Sequence, residues 1–218
     1  MNLVLIAPPA AGKGTMAHIL NEKYGMIQIS VGQLLRDIDS NTSLGQEIRK
    51  CQENRELVNN KIVYDALSIK LSTDEVKQRG FILDGFPRSI EQAEILNKLS
   101  NKFNFKIDKI IYLDVPYEVC LKRTLGRYTC SKCKTVYNTE TGFNDPIDDK
   151  VCRLCGAPLE QRNDDNIESF NKGYKKFETE ILPLIDYYRK TSSVITVDGS
   201  KDVFDTFKEL EKKLEILW

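Results

Sequence analysis

The stretch LVLIAPPAAGKGT, residues Leu3 to Thr15, decides the fold of this chain. Its first four residues form an unbroken apolar run, which predicts a buried strand because a strand covered on both faces shows no alternation. Two prolines end the run, and Gly12-Lys13-Gly14-Thr15 leads into the helical pattern MAHILNEKY. Strand, tight loop and helix in this order form a phosphate-binding arrangement, in which backbone N–H groups and the lysine hold the anion. We therefore expect a nucleoside triphosphate at this loop.

The loop departs from the pattern G-x-x-x-x-G-K-[ST] in two places. Ala7 stands where the pattern has glycine, and Gly14 stands where it has a hydroxyl, with Thr15 one place later. Glycine is favoured in such loops because the backbone curls tightly around phosphate, sometimes at positive φ. The alternative interpretation is an ordinary strand–turn–helix with a surface lysine.

Composition limits the possible function classes. The chain has 218 residues, with 32 basic and 32 acidic side chains, so it lacks the basic excess of a dedicated nucleic-acid binder. Its longest apolar run is far shorter than a membrane span, and it begins with a core strand in place of a targeting segment. We expect a cytoplasmic protein that binds neither membrane nor nucleic acid. The single histidine, His18, lies in a helical pattern, which argues against Ser-His-Asp hydrolysis.

Apolar runs typical of strands alternate with helical patterns along the chain. Strands that alternate with helices form βαβ crossovers, so the fold class is α/β with a parallel sheet. The predicted strands are Leu3–Ile6, Met26–Ile29, Phe81–Leu83, Lys109–Val115 and Val194–Val197. The predicted helices include Ser43–Asn54, Lys61–Leu71, Ser89–Leu99, Glu118–Arg123, a long stretch Asp164–Lys190 kinked at Pro183, and Val203–Leu217.

An inserted module from Tyr128 to Leu159 interrupts this alternation and carries four cysteines. They form two C-x-x-C pairs separated by eighteen residues: Cys130 with Cys133, and Cys152 with Cys155. Two such pairs complete a tetrahedron around Zn²⁺, and four protein ligands leave no open position, so the spacing predicts structural zinc. The alternatives are a pair of disulfides and thioredoxin-like redox chemistry. Cys51 and Cys120 lie in helical apolar patterns and are predicted to be buried small residues.

The segment FILDGFPR, Phe81 to Arg88, is the second dense signal. Its strand ends on Asp84, a carboxylate suited to Mg²⁺ beside a triphosphate. Gly85 permits close approach, and Pro87 stiffens the turn that presents Arg88 to a phosphate. By itself the segment also fits a strand that ends in a turn with a surface salt bridge. Because the segment follows a phosphate-binding loop in the same chain, we favour the interpretation that it binds Mg²⁺ and phosphate.

Five arginines lie at element ends or module hinges and not on repeating helix faces. In-line phosphoryl transfer between two anionic nucleotides needs several cations and no covalent nucleophile. The arginines are Arg36, Arg88, Arg123, Arg127 and Arg162.

Together these residues resemble adenylate kinase, specifically the long form with a zinc-bearing lid that is found in many bacteria. The similarity runs over essentially the whole chain. It is carried by PPAAGKGT, ISVGQLLR, GFILDGFPRSIEQAE, RTLGR, the four cysteines and QRNDDN.

The resemblance implies a P-loop nucleoside-monophosphate-kinase fold. That fold has a parallel five-stranded sheet flanked by helices and an inserted zinc-ribbon-like lid. The implied core covers residues 1–29, 60–125 and 162–218, with a mobile AMP-binding arm at 30–59 and a mobile lid at 126–161. The implied reaction is reversible transfer of the γ-phosphoryl of ATP to AMP, giving two ADP, with Mg²⁺ on ATP. The protein is expected to act as a monomer.

The resemblance also implies roles for individual residues. The implied catalytic residues are Lys13, Asp84, Arg88, Arg127 and Arg162. The implied ATP contacts are Ala10, Ala11, Gly12, Lys13, Gly14, Thr15, Arg123, Arg127, Tyr137 and Ser200, in the last case with the loop at Gly199 and Lys201. The implied AMP contacts are Val31, Arg36, Leu57, Val58, Gly85, Arg88, Gln92 and Arg162.

Five positions depart from the family pattern. Ala7 and Ala10 stand where the family has glycine, and Val31 stands where it has threonine. Gln33 replaces an aspartate, and Gly173 replaces an arginine that contacts the phosphates. Lys175 or Lys176 is a candidate to supply the missing charge. The departures keep a second hypothesis open, a weakened or non-catalytic nucleotide-binding or sensing protein on the same fold. Kinases for other monophosphates and a zinc-ribbon nucleic-acid binder are further alternatives.

Overall fold

The computed structural model describes residues 1–54, 56–141, 144–145, 150–192 and 194–215. Part of the predicted lid (142–143 and 146–149), residue 55 of the predicted arm and Leu217 of the predicted last helix lie outside the described residues. The strands are β1 Asn2–Ile6, β2 Ile27–Ser30, β3 Phe81–Asp84, β4 Lys109–Asp114, β5 Arg127–Cys130, β6 Val136–Asn138, β7 Leu159–Glu160 and β8 Val194–Asp198. The helices are α1 Lys13–Tyr24, α2 Val31–Arg36, α3 Ser43–Glu53, α4 Asn60–Leu71, α5 Asp74–Arg79, α6 Ile90–Phe103, α7 Tyr117–Leu125, α8 Ile167–Lys176, α9 Leu182–Thr191 and α10 Val203–Leu214.

The main sheet has five strands in the order β2-β3-β1-β4-β8. Its registers are parallel: Leu5 of β1 lies beside Asp84 of β3, which also lies beside Ser30 of β2. Because parallel strands end at one edge, the segments after β1, β2 and β3 leave the sheet from the same edge. The predicted parallel α/β sheet is confirmed, and each predicted strand agrees with the structure to within one residue at either end.

Apolar side chains explain why these strands form the centre of the fold. Leu3 and Val4 of β1 and Ile82 of β3 are fully buried, and so are Ile110 and Ile111 of β4. Burial on both faces removes the alternation of half-exposed strands, as the sequence suggested. Among the described residues, no helix is both long and apolar enough to span a bilayer.

A second sheet lies within the predicted lid, and the described part of the chain contributes three strands to it. Its order is β6-β5-β7 and its pairings are antiparallel. Among the described residues its core is small, comprising Cys130, Tyr137, Cys152 and Leu159. A core of this size cannot stabilise a module by apolar burial alone, so another constraint is expected there.

The predicted long helix over Asp164–Lys190 is interrupted. The helix α8 is followed by a π-helical turn, Phe177–Ile181, and then by α9, whose second residue is Pro183. Proline has no N–H to donate and its ring clashes with the carbonyl four residues earlier, so the wider turn accommodates it. The predicted interruption near Pro183 is thus a π-helical turn that ends two residues before the proline.

The chain divides into two compact units. The first unit contains Met1–Ile6, Lys13–Tyr112 and Glu178–Thr196, and the second contains Ala7–Gly12, Leu113–Phe177 and Val197–Trp218.

Candidate active site

The phosphate loop turns on two residues with positive φ. Ala10 has φ 58° and Gly12 has φ 97°. The Ala11 N–H donates to the Pro8 carbonyl, and α1 begins at Lys13 directly after the loop. The first N–H groups of a helix point along its axis toward an approaching anion, so those of Lys13, Gly14 and Thr15 are suited to bind one. Ala10 therefore adopts the left-handed backbone conformation, which glycine would adopt without strain.

Asp84 lies beside the start of this helix. A Cβ placed on Gly14 would lie 3.9 Å from Asp84 Oδ2. This closeness follows from the sheet, since Asp84 ends β3 beside Leu5, near the end of β1. A half-buried carboxylate next to a phosphate loop has the oxygen chemistry that Mg²⁺ prefers.

Arg88 folds back on the turn that follows Asp84. Its Nε donates to the Gly85 carbonyl at 2.8 Å. Gly85 has φ 79°, and a Cβ there would lie 3.1 Å from Arg88 Nη2. Glycine is required at this position by both the backbone conformation and the close approach of the guanidinium. The neighbour at Gly85 in this structure is Arg88 itself, and an approach of AMP to Gly85 stays a prediction.

Arg36 lies at the end of α2 and is held by an amide. Its Nε and Nη2 donate to Gln33 Oε1 at 3.2 and 3.0 Å, and Gln33 Nε2 donates to Asp37 Oδ1 at 2.7 Å. Gln33 therefore orients the guanidinium without adding a negative charge next to it. Of the other predicted AMP contacts, Val31 is buried.

Gln92 is buried in the first turn of α6, with 3% of its surface exposed. The Ser89 hydroxyl caps this helix by accepting from the Gln92 N–H at 3.2 Å. The side-chain amide accepts from the Arg88 N–H at 2.9 Å and donates to Asn60 Oδ1 at 3.2 Å. Of the two residues before α4 that were predicted to contact AMP, Val58 is buried and Leu57 is exposed. No sequence motif marks Asn60 as a partner of Gln92.

Arg123 gathers three backbone carbonyls in the second unit. Its Nη1 donates to Gly199 O at 2.7 Å, and its Nη2 lies 3.4 Å from Ser200 O and 3.1 Å from Lys201 O. Burial lowers the pKa of the guanidinium, and the neighbouring Cys120 and Asp198 oppose that effect. The buried Nε has no hydrogen-bond partner among the described residues. Arg123 and the loop at residues 199–201, each predicted to contact the ATP base, thus lie together in the structure.

Glu209 of α10 also contacts the loop at residues 199–201, through Lys201. Its carboxylate accepts from Lys201 Nζ at 2.8 Å and from Lys213 Nζ at 2.7 Å. These two lysines lower the pKa of Glu209 to about 2. Asp198 Oδ1 accepts from the Ser200 hydroxyl at 2.6 Å, which closes the turn. No sequence motif marks Glu209, because its role depends on a turn eight residues away in the chain.

Two further arginines at the predicted lid hinges have partners. Arg127 forms a two-point ion pair with Asp165, whose side chain is fully buried, and its Nε donates to Asp165 Oδ2 at 2.9 Å. Arg162 Nε donates to the Thr129 hydroxyl at 3.3 Å. The ion pair with Asp165 fixes the position of the Arg127 guanidinium. Asp165 belongs to the segment QRNDDN, but its pairing with Arg127 could not be predicted from that segment.

The four cysteine sulfur atoms of the lid lie within 4.8 Å of one another. The distance is 3.4 Å from Cys130 to Cys155 and 3.5 Å from Cys133 to Cys152. A disulfide needs about 2 Å, whereas tetrahedral zinc with Zn–S of about 2.3 Å places its sulfur ligands about 3.7 Å apart. The cluster therefore fits Zn²⁺, and all four thiols are free.

Tyr137 belongs to this cluster. It is buried, its hydroxyl lies 3.3 Å from Cys152 Sγ, and it accepts from the Arg153 N–H at 2.9 Å. The hydrogen bond with Tyr137 lowers the pKa of Cys152 to about 6. Burial also raises the pKa of Tyr137 itself. Because the Tyr137 side chain is occupied inside the lid, the predicted ATP contact from this residue would have to come from its backbone.

The two cysteines outside the lid differ in burial. Cys120 is fully buried in α7, as expected. Cys51 is only half-buried, because the surrounding residues of α3 lie largely at the surface.

Gly173 lies in α8 beside a group of packed aromatic rings. The Tyr174 ring packs against Phe170, Phe177 and Tyr117, with centroids 4.9 to 5.8 Å apart. Lys172, the nearest lysine in the sequence, pairs with Glu168 on the exposed face of the helix at 2.8 Å. It is thus directed into a surface ion pair, and the suggestion that Lys175 or Lys176 supplies the missing charge stays a prediction.

Comparisons with known proteins agree with this geometry. A family model described as adenylate kinase matches residues 5–193. An adenylate kinase from Archaeoglobus fulgidus is 41% identical over 216 residues, covering 99% of this chain and 98% of the relative. One from Thermodesulfovibrio yellowstonii is 40% identical over 218 residues, covering 98% of this chain and 100% of the relative. The chain therefore belongs to the adenylate kinase family.

Proposed function

We propose that this chain transfers the γ-phosphoryl of Mg²⁺-bound ATP to AMP, reversibly giving two ADP. The observation that carries the proposal is the arrangement of Lys13, Asp84 and Arg88. They follow two neighbouring parallel strands, with Asp84 against Gly14 and Arg88 on the turn directly after it. Phosphoryl transfer depends on positioning and charge stabilisation, and this arrangement supplies both without a covalent nucleophile.

Each substrate has its own set of residues under this proposal. Lys13 and the N–H groups of residues 10–15 bind the ATP phosphates, and Asp84 would hold Mg²⁺, which would neutralise charge on those phosphates. Arg36 and Arg88 bind the AMP phosphate, and Arg127 and Arg162 stabilise the transferred group. The bases are contacted by Arg123 and Ser200 for ATP, and by Gln92 with Val31, Leu57, Val58 and Gly85 for AMP.

The four lid cysteines would hold Zn²⁺ as a structural ion. The sulfur distances support this role, as does the small apolar core of the module. Four thiolates fill the tetrahedron, so the ion would fix the fold of the lid and take no part in the transfer. We further propose that residues 30–59 form the AMP-binding arm and 126–161 the lid, in a monomeric cytoplasmic enzyme.

A coupled assay of ADP formation tests the proposal. Purified protein is given ATP and Mg²⁺ with AMP, and in parallel with CMP, UMP or GMP. We expect rapid ADP formation with AMP alone, and loss of that activity in Lys13→Met. Lys23→Met, at the far end of α1, is the matched control and should retain it. Binding of ATP without transfer to any monophosphate would contradict the proposal and favour a non-catalytic protein.

A further inference from the structure

The orientation of the Gln92 side-chain amide is imposed from both of its ends. Its Oε1 accepts from the backbone N–H of Arg88, a group that can only donate. Its Nε2 donates to Asn60 Oδ1, and Asn60 Nδ2 donates to a carboxylate oxygen of Glu91 at 3.2 Å. An ionised carboxylate can only accept. The chain of hydrogen bonds from Arg88 to Glu91 therefore has one direction.

Turning the Gln92 amide over would break this chain at both ends. Its NH₂ group would face the Arg88 N–H, and its oxygen would face Asn60 Oδ1. Turning Asn60 as well would only move the conflict to the Glu91 carboxylate. Because Gln92 is 3% exposed, little water reaches the bonds to Arg88 and Asn60, and unmade hydrogen bonds are costly in such a place.

The amide keeps two hydrogen-bonding capacities after these bonds are made. A primary amide has two N–H donors and two acceptor lone pairs, and the chain uses one of each. The remaining acceptor and donor suit a base edge that offers an amino donor next to a ring-nitrogen acceptor, as a 6-aminopurine does. A 6-oxopurine offers the reverse pattern, a carbonyl acceptor next to a ring N–H donor, and would require the reversed amide.

We propose that Asn60 and Glu91 are positioning residues that set the purine specificity of the monophosphate site through Gln92. This rests on the proposed function, in which Gln92 contacts the base of AMP. In this role neither residue contacts the base. Asn60 holds the amide in the orientation that favours adenine, and Glu91 holds Asn60.

Steady-state kinetics with AMP and with inosine monophosphate test this role, because the two differ only at position 6 and the adjoining ring nitrogen. Wild type is compared with Asn60→Leu, Glu91→Gln and Gln92→Leu. Asn97→Leu and Glu94→Gln, exposed side chains of α6, are the matched controls. The readout is the ratio of kcat/KM for AMP to that for inosine monophosphate, with melting temperature as a check on folding. A merely structural role would lower both rates and leave the ratio unchanged.

We expect the ratio to fall about tenfold in Asn60→Leu, and about threefold in Glu91→Gln because glutamine can still accept. The falls should come through KM, and both controls should keep the wild-type ratio. Since Glu91 is exposed, its variant decides the question even where Asn60→Leu folds poorly. An unchanged ratio in folded Asn60→Leu and Glu91→Gln, with a raised KM for AMP in Gln92→Leu, would overturn the positioning role alone. An unchanged KM for AMP in Gln92→Leu would overturn the assignment of Gln92 to the base.

Discussion

The two regions proposed to bind a base, around Gln92 and around Arg123, are built from different chemistry. In the first unit a neutral amide is oriented by a directional chain of hydrogen bonds. In the second unit a buried guanidinium gathers the carbonyls of residues 199–201. An oriented amide distinguishes donors from acceptors on a base edge, whereas a guanidinium offers a flat cationic face to any base. We therefore expect stronger base discrimination at the monophosphate site than at the triphosphate site.

Removing Arg88 should give the largest effect and fall on the AMP side. Arg88→Leu is expected to lower kcat/KM for AMP by about 10³-fold, because one arginine is worth that much or more in phosphoryl transfer. The KM for ATP should stay within a few-fold of wild type. Arg79→Leu, which removes an exposed arginine paired with Glu75, is the control. A loss below tenfold in Arg88→Leu would remove Arg88 from the transfer site.

Removing a lid thiolate should lower stability more than chemistry. Cys133 is exposed, so Cys133→Ala sacrifices little packing while it removes one metal ligand. We expect bound zinc to be lost and the melting temperature to fall by about 10 °C, with kcat at 25 °C within a few-fold of wild type. Metal analysis and calorimetry measure this, with Cys51→Ala as control. Loss of the metal at an unchanged melting temperature would show that zinc does not stabilise the lid.

Glu209→Gln should affect the ATP side selectively and with a defined pH dependence. Lys201 and Lys213 lower the pKa of Glu209 to about 2, below its unfolded value of about 4.3. Its stabilisation of about 1 kcal/mol is therefore fully present above about pH 5 and is lost as the pH falls toward 2. The variant should be less stable than wild type at pH 7, with a smaller difference at pH 3, and its KM for ATP should rise about threefold. Urea unfolding at both pH values, with Glu22→Gln as control, measures this. A pH-independent difference would contradict the ionic role.

Ala10→Gly should give the smallest effect. The left-handed conformation costs alanine about 1 to 2 kcal/mol, and the added freedom of glycine in the unfolded chain costs about 0.4 to 1 kcal/mol. The net expectation is a gain of about 0.5 kcal/mol in the free energy of unfolding. Ala11, outside the positive-φ residues, is the matched control, and Ala11→Gly should destabilise. Equal destabilisation by both substitutions would mean that Ala10 is not strained.

Local sequence patterns predicted most of the fold. The apolar runs, the Gly-Lys-Gly-Thr loop and the cysteine spacing each concern residues close together in the chain, and the structure contains the corresponding strands, loop and sulfur cluster. The partners that orient the site were missed. Asn60 lies 32 residues from Gln92, and Asp165 lies 38 residues from Arg127. Such pairs depend on how elements pack, which no local pattern records.

The KM values for both nucleotides in Arg123→Met and Gln92→Leu test most directly whether the two base sites are separate. The central claim is that the second unit holds the base of ATP and the first holds that of AMP. We expect Arg123→Met to raise the KM for ATP about tenfold and leave that for AMP unchanged, and Gln92→Leu to do the reverse. Equal increases for both nucleotides in either variant, or the opposite assignment, would contradict the claim.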